Sequence, residues 1–126
     1  MQNRDVWREA YVSPHDVIAI GIAELVKHNR GNVAHFTVSR LVKYYLRAKY
    51  GVEPPRYRSA RHFTYVTWIL QYLCTRGVLF CRETSRSTVY YVTKISPLWS
   101  TDPDKIRQHL PRIIPQPHRD FEPVIL

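Results

Sequence analysis

Apolar positions recur at helical spacing in three stretches of the chain and crowd into two short β-type runs after them. The first helical stretch opens at Ser13-Pro14-His15-Asp16. There serine suits an N-cap, proline suits the first helical position, and the acid complements the unpaired N–H groups of the first turn. Val17, Ile18, Ile22, Leu25 and Val26 follow as one stripe of a 3.6-residue period, and Asn29-Arg30-Gly31-Asn32 predicts a left-handed cap that ends the helix. Val33 to Phe36 reads as a short piece that can extend. Thr37 then caps a second helix over about Val38 to Tyr50, with Val38, Leu41, Val42, Tyr45 and Ala48 on its inner face, Arg40, Lys43 and Arg47 on the other, and Gly51 at its end.

Pro54-Pro55 forces a break, because the residue before each proline resists helix. Ser59 then caps a third helix over Ala60 to Arg76, closed by Gly77. Phe63, Val66, Ile69, Leu70 and Leu73 share one direction of that helix, while Arg61, Thr64, Tyr65, Trp68, Gln71 and Thr75 face the other way. Val78 to Glu83 and Thr88 to Thr93 are rich in β-branched and aromatic residues and read as a hairpin with a polar, basic tip, Thr84-Ser85-Arg86-Ser87. Beyond Lys94 the character changes: six of the nine prolines lie from Pro97 onward. Asp102-Pro103-Asp104 starts one short helix to Leu110, and residues 111–126 read as an extended arm or tail. The N-terminal residues 1–12 carry Val6, Trp7, Ala10 and Tyr11 at helical spacing, which suits a short helix packed on the domain or a dimer contact.

Charge gives this pattern a direction. The 126 residues hold 19 Lys+Arg against 10 Asp+Glu, a formal net charge of +9. Residues 54–100 hold seven basic residues and the single acid Glu83, whereas residues 101–126 hold four of each sign. From Pro54 through Arg82 there is no carboxylate at all, and a solvated face usually mixes signs, so this stretch points to an anionic partner. Arginine outnumbers lysine 14 to 5 and Asn+Gln total seven, a composition in which low Asn/Gln hints at a thermophile.

Several function classes lose support on the same grounds. One acid in residues 54–100 leaves no carboxylate cluster for a two-metal nuclease. The six histidines are scattered and no glycine-rich phosphate loop is present, so an enzyme is not expected and no cofactor is called for. Cys74 and Cys81, seven apart, lack the companion ligands of a zinc site and read as reduced cytosolic thiols, with a disulfide left open. Arg4, Asp5, Arg8 and Glu9 stand where a signal peptide needs an apolar segment, and Phe63 to Thr75 is too short to span a bilayer, so a cytoplasmic protein with no membrane partner is expected.

The order helix, short extended piece, helix, helix, hairpin resembles a winged-helix domain, a variant of the helix-turn-helix. The residues that carry the resemblance are the third helix ending in LCTRGVLFCRE, the SRS tip, and the returning TVYYVTK, within residues 13–94. The resemblance implies an α+β fold, a three-helix core with a C-terminal two-stranded β-hairpin wing, flanked by segment 1–12 and a proline-rich extension, 95–126. Its segment between the second and third helices, Gly51 to Ser59, is longer than the tight turn of the compact motif.

The resemblance also implies a partner, double-stranded DNA, a nucleoid-associated location and a role as a small transcription regulator. Its third helix would lie in the major groove, with Arg61 matching the O6/N7 edge of guanine and Thr64 and Tyr65 touching a phosphate or a thymine methyl. Arg56 and Arg58, in the loop leading into that helix, would hold phosphates. Arg82, Ser85 and Arg86 would form the wing, and Arg40 and Lys43 would reach the flanking backbone. Two alternatives stay open. A protein-interaction adaptor would use the outward Trp68 and Tyr72, and a homodimer would form through segment 1–12 or the C-terminal extension. RNA binding is the other, although the aromatics do not spell out the stacking platform of recognisable RNA-binding sheets.

Overall fold

Among the described residues of the computed structural model, four helices and a three-stranded antiparallel sheet enclose one apolar core. The structure describes residues 13–51 and 60–112, and for 60–63 the backbone alone. The helical reading of residues 1–12, the Pro54-Pro55 break, the Ser59 cap and the arm beyond Arg112 lie outside the described residues. In chain order the elements are α1 (Pro14–Lys27), β1 (Val33–Phe36), α2 (Val38–Tyr50), α3 (Ala60–Thr75), β2 (Phe80–Glu83), β3 (Thr88–Thr93) and α4 (Pro103–Arg107).

Local chemistry accounts for the helix starts. The Ser13 hydroxyl accepts from the Asp16 N–H, the Thr37 hydroxyl from the Arg40 N–H, and the Asp102 carboxylate from the Asp104 N–H. Gly51 ends α2 in the left-handed region, at φ 70°, and Gly77 does the same after α3 at φ 77°. The end of α1 differs from the expected left-handed cap. His28 stays at φ −96°, and the Asn29 side-chain amide donates instead to the carbonyls of Gly31 and Val33. The helix carbonyls are met by backbone N–H groups, His28 to Glu24 and Asn29 to Val26, while the Asn29 side chain ties the following loop to the start of β1.

The expected two-stranded hairpin is a three-stranded sheet in the order β1-β3-β2. β1 pairs antiparallel with β3 in the register Ala34 to Val92 and Phe36 to Tyr90, and the Lys94 N–H extends the ladder to the Asn32 carbonyl. The physical reason lies in β1 itself. Ala34 and Phe36 point to the core and are buried, and an extended segment that buries alternate side chains must also pair its N–H and C=O groups. The free edge of the β2–β3 hairpin supplies those partners. The glycine-free loop between β2 and β3 closes on Thr84, whose N–H and hydroxyl both donate to the Ser87 carbonyl while the hydroxyl accepts from the Arg86 and Ser87 N–H groups.

The core is built from Val17, Ile18 and Ile22 of α1, Leu41, Tyr45 and Leu46 of α2, Val66, Ile69, Leu70 and Leu73 of α3, and Tyr90 and Val92 of the sheet. It continues past Thr93: Leu98, Ile106 and Leu110 are buried in the same cluster. Polar contacts fasten this return. Ser96 donates to the Val78 carbonyl at 2.8 Å, His15 Nε2 donates to the Pro111 carbonyl at 2.6 Å, and Arg107, which also pairs with Asp104, meets Asp16 at 3.0 Å. The stretch 95–112 is therefore part of the packed body.

Three buried or half-buried acids of high pKa lie in this body. Burial raises the Tyr45 and Tyr90 hydroxyls above their ordinary value of 10.0; for Tyr45 the charges of Tyr50 and Asp16 add to it. Burial, then a hydrogen bond with Cys81, pushes the Cys74 thiol from 9.0 up to about 12. Both cysteines are free thiols. Each group holds its proton more tightly folded than unfolded, so this stability is complete below the unfolded values and is lost as pH rises through the folded ones. Thermal melting followed from pH 8 to pH 11 (about the window these groups define) will give a Tm that falls steadily above pH ~9. A flat profile would contradict the burial of these three groups.

Candidate nucleic-acid interface

Among the described residues, three cations share the outer face of α2. Arg40, Lys43 and Arg47 recur at i, i+3 and i+7, so one helical face carries all three, and all are exposed. Together with Thr37, Ser39 and Tyr44 they line an open groove of about 560 Å³ at the start of the helix. The Arg40 guanidinium lies over the Tyr44 ring, 5.7 Å from its centroid, which holds the charge near the groove. Hydroxyls of Thr37 and Ser39 beside three cations make a site suited to phosphate oxygens. Arg40 and Lys43 are legible in the sequence; Thr37, Ser39 and Tyr44 become lining residues because the cap turns the chain at Thr37. The signal that could have found Thr37 and Tyr44 is their spacing with Arg40 and Arg47, at 37, 40, 44 and 47; Ser39 lies off it.

The hairpin carries a second basic group. Arg82 on β2 and Ser85 and Arg86 in the loop are all exposed, and Arg82 makes no ion pair among the described residues. On α3, Thr64 is exposed, Tyr65 is half-buried, and the Arg61 side chain lies outside the described residues, as do Arg56 and Arg58. Arg40 and Lys43 thus line one groove, while Arg82, Ser85 and Arg86 lie exposed along the hairpin.

Trp68 and Tyr72 are not free aromatic knobs. Both are half-buried and packed against the core, their rings stacked 5.6 Å apart at 16°, with the Arg76 guanidinium 5.1 Å over Tyr72. Gln71 donates to the Tyr90 hydroxyl at 3.0 Å, tying α3 to the sheet. Much of the apparent polar face of α3 is therefore engaged within the fold.

Among the described residues no group of three or more His, Cys, Asp or Glu is placed to hold a metal ion, and no helix is long and apolar enough to cross a membrane. No family model, no curated protein and no solved structure matches this chain.

Proposed function

We propose that the protein binds double-stranded DNA as a winged helix-turn-helix module and serves as a small transcription regulator, acting by binding and not by catalysis. The observation that carries this reading is the three-cation groove at the start of α2, within a helix–strand–helix–helix–strand–strand order whose sheet runs β1-β3-β2. In this reading the N-terminal turns of α3 enter the major groove. Arg61 pairs with a guanine edge, and Thr64 and Tyr65 contact a phosphate or a thymine methyl. Arg56 and Arg58 hold phosphates on the approach to that helix. Ser85 and Arg86 at the hairpin tip touch backbone or minor groove, where short hydroxyl residues allow close approach. The α2 groove takes a flanking phosphate through Arg40 and Lys43.

The reading is tested by a variant that removes Arg58, Arg61 and Arg86 together. The expected outcome is a duplex affinity reduced by two orders of magnitude or more at about 0.1 M salt, with the melting temperature preserved. Unchanged duplex affinity in that variant sinks the proposal.

A further inference from the structure

The sheet has a second face, whose edge strands are exposed at Val33, His35, Phe80 and Arg82 while Val89, Tyr91 and Thr93 on the central strand are half-buried. Ala34, Phe36, Tyr90 and Val92 turn inward, so the alternate residues of all three strands turn outward. Register places His35, Tyr91 and Phe80 in one row across the sheet: His35 pairs with Tyr91, and Tyr91 pairs with Phe80. The His35 and Tyr91 rings stand 6.2 Å apart and tilted at 49°. Phe80 is 55% exposed, on an edge strand, and Val33 beside the row is 46% exposed. An exposed phenylalanine on a sheet edge invites aggregation, and natural edges usually carry charge instead. A ligand that takes the ring gives it a purpose.

Charge selects the ligand. Arg82 pairs with Val89 and therefore stands on the same outward face, two residues along β2 from Phe80. Glu83, the only acid of residues 54–100, pairs with Thr88 and has the opposite parity. Arg86 at the loop and Lys94 after β3 are exposed at the two ends of this strand pair. The face thus combines flat aromatic rings in a row with cations and without a carboxylate among its outward strand positions. A duplex hides the faces of its bases inside the stack. A single strand offers them, and base stacking on aromatic rings beside cations is how such strands are held without sequence preference.

We propose that this outer face is a stacking platform for unpaired nucleobases, with Tyr91 central, Phe80 and His35 on its flanks and Arg82 on a phosphate. It shares the hairpin cations with the duplex reading and adds the aromatic row, which that reading does not use.

The test uses the full chain and fluorescence anisotropy with labelled oligothymidylate, oligouridylate, an abasic oligonucleotide of the same length, and a duplex. Phe80→Leu and Tyr91→Leu keep apolar bulk and remove the ring; Phe80 is exposed, so its variant keeps the fold, which an unchanged Tm verifies. Each substitution is expected to weaken single-strand binding roughly tenfold with the salt slope unchanged, while Arg82→Ala lowers that slope by about 0.7. Equal loss on both single strands identifies stacking alone; a larger loss on RNA identifies RNA as the source. Duplex affinity of the two ring variants stays as in the parent protein. The proposal is overturned if the ring variants bind single strands as the parent does, or if the abasic strand binds as tightly as the others. It is equally overturned if the ring variants lose duplex and single-strand binding alike, or if they only convert a dimer to a monomer in light scattering.

Discussion

Replacing Arg40 and Lys43 together by alanine flattens the log–log salt dependence of duplex binding by about 1.8 and weakens binding by one to two orders of magnitude at about 0.1 M salt. The argument is counterion release. Each phosphate neutralised by a cation frees condensed ions, with a slope of about 0.9 per contact on duplex DNA. Two cations in the α2 groove correspond to two such contacts. Both side chains are exposed, and within the fold the double variant gives up the exposed Arg40–Tyr44 stack, so melting should shift by no more than a degree or two. Titrations of the parent and the double variant at several salt concentrations check this. A slope that stays the same removes the α2 groove from the interface. A parent slope near zero would remove duplex DNA as the partner altogether.

The second large effect is expected in the core, at Gly21. A glycine in the middle of a helix normally costs stability relative to alanine, roughly 0.5–1 kcal/mol, so on propensity alone Gly21→Ala should help. Packing reverses the sign. A Cβ at this position would sit 2.7 Å from Leu41 Cδ1 and 2.9 Å from the Leu41 backbone oxygen. Leu41 is fully buried, and its carbonyl belongs to the body of α2, so the clash cannot be relieved by turning one side chain. The two helices would have to move apart, opening the most extensive helix–helix interface among the described residues. Overpacking of this kind costs roughly 1–3 kcal/mol, and the expected net result is a Tm lower by roughly 5–10 °C. Gly51→Ala is the informative comparison. Nothing lies within 4 Å of a Cβ there, and its cost comes from the left-handed backbone alone. A Gly21→Ala protein that melts higher than the parent would show that α1 and α2 do not approach so closely.

What the sequence made legible was local. Ser13, Thr37 and Asp102 cap their helices as their residue types predict, because a cap needs only a side chain and the next turn of backbone. Val66, Ile69, Leu70 and Leu73 are buried as their spacing predicts, since a helical stripe is set by the 3.6-residue period. The basic face of α2 was legible for the same reason. The phosphate readings at Arg56 and Arg58 and the guanine reading at Arg61 rest on the sequence alone.

Other features depended on partners far away in the chain. Whether Val33–Phe36 stands alone or pairs is decided by the free edge of β3, more than fifty residues later, and no local signal carries that. The prolines after Lys94 read as an extension, yet Leu98, Ile106 and Leu110 return to the core because Ser96, His15 and Asp16 fasten them there. Tyr91, Phe80 and His35 form a row only once three strands are in register; along the chain they are unrelated aromatics.

The sequence by itself determined the order of the described elements, the helix starts at Ser13, Thr37 and Asp102, most of the inner faces and the uneven charge, because each is written in neighbours within about one helical turn or one hairpin. The tertiary structure alone decided the third strand, the reason for Gly21, the return of residues 95–112, and the aromatic row on the outer face of the sheet. Those depend on which surfaces meet, and a surface is assembled from residues whose separation along the chain says nothing of their distance in space.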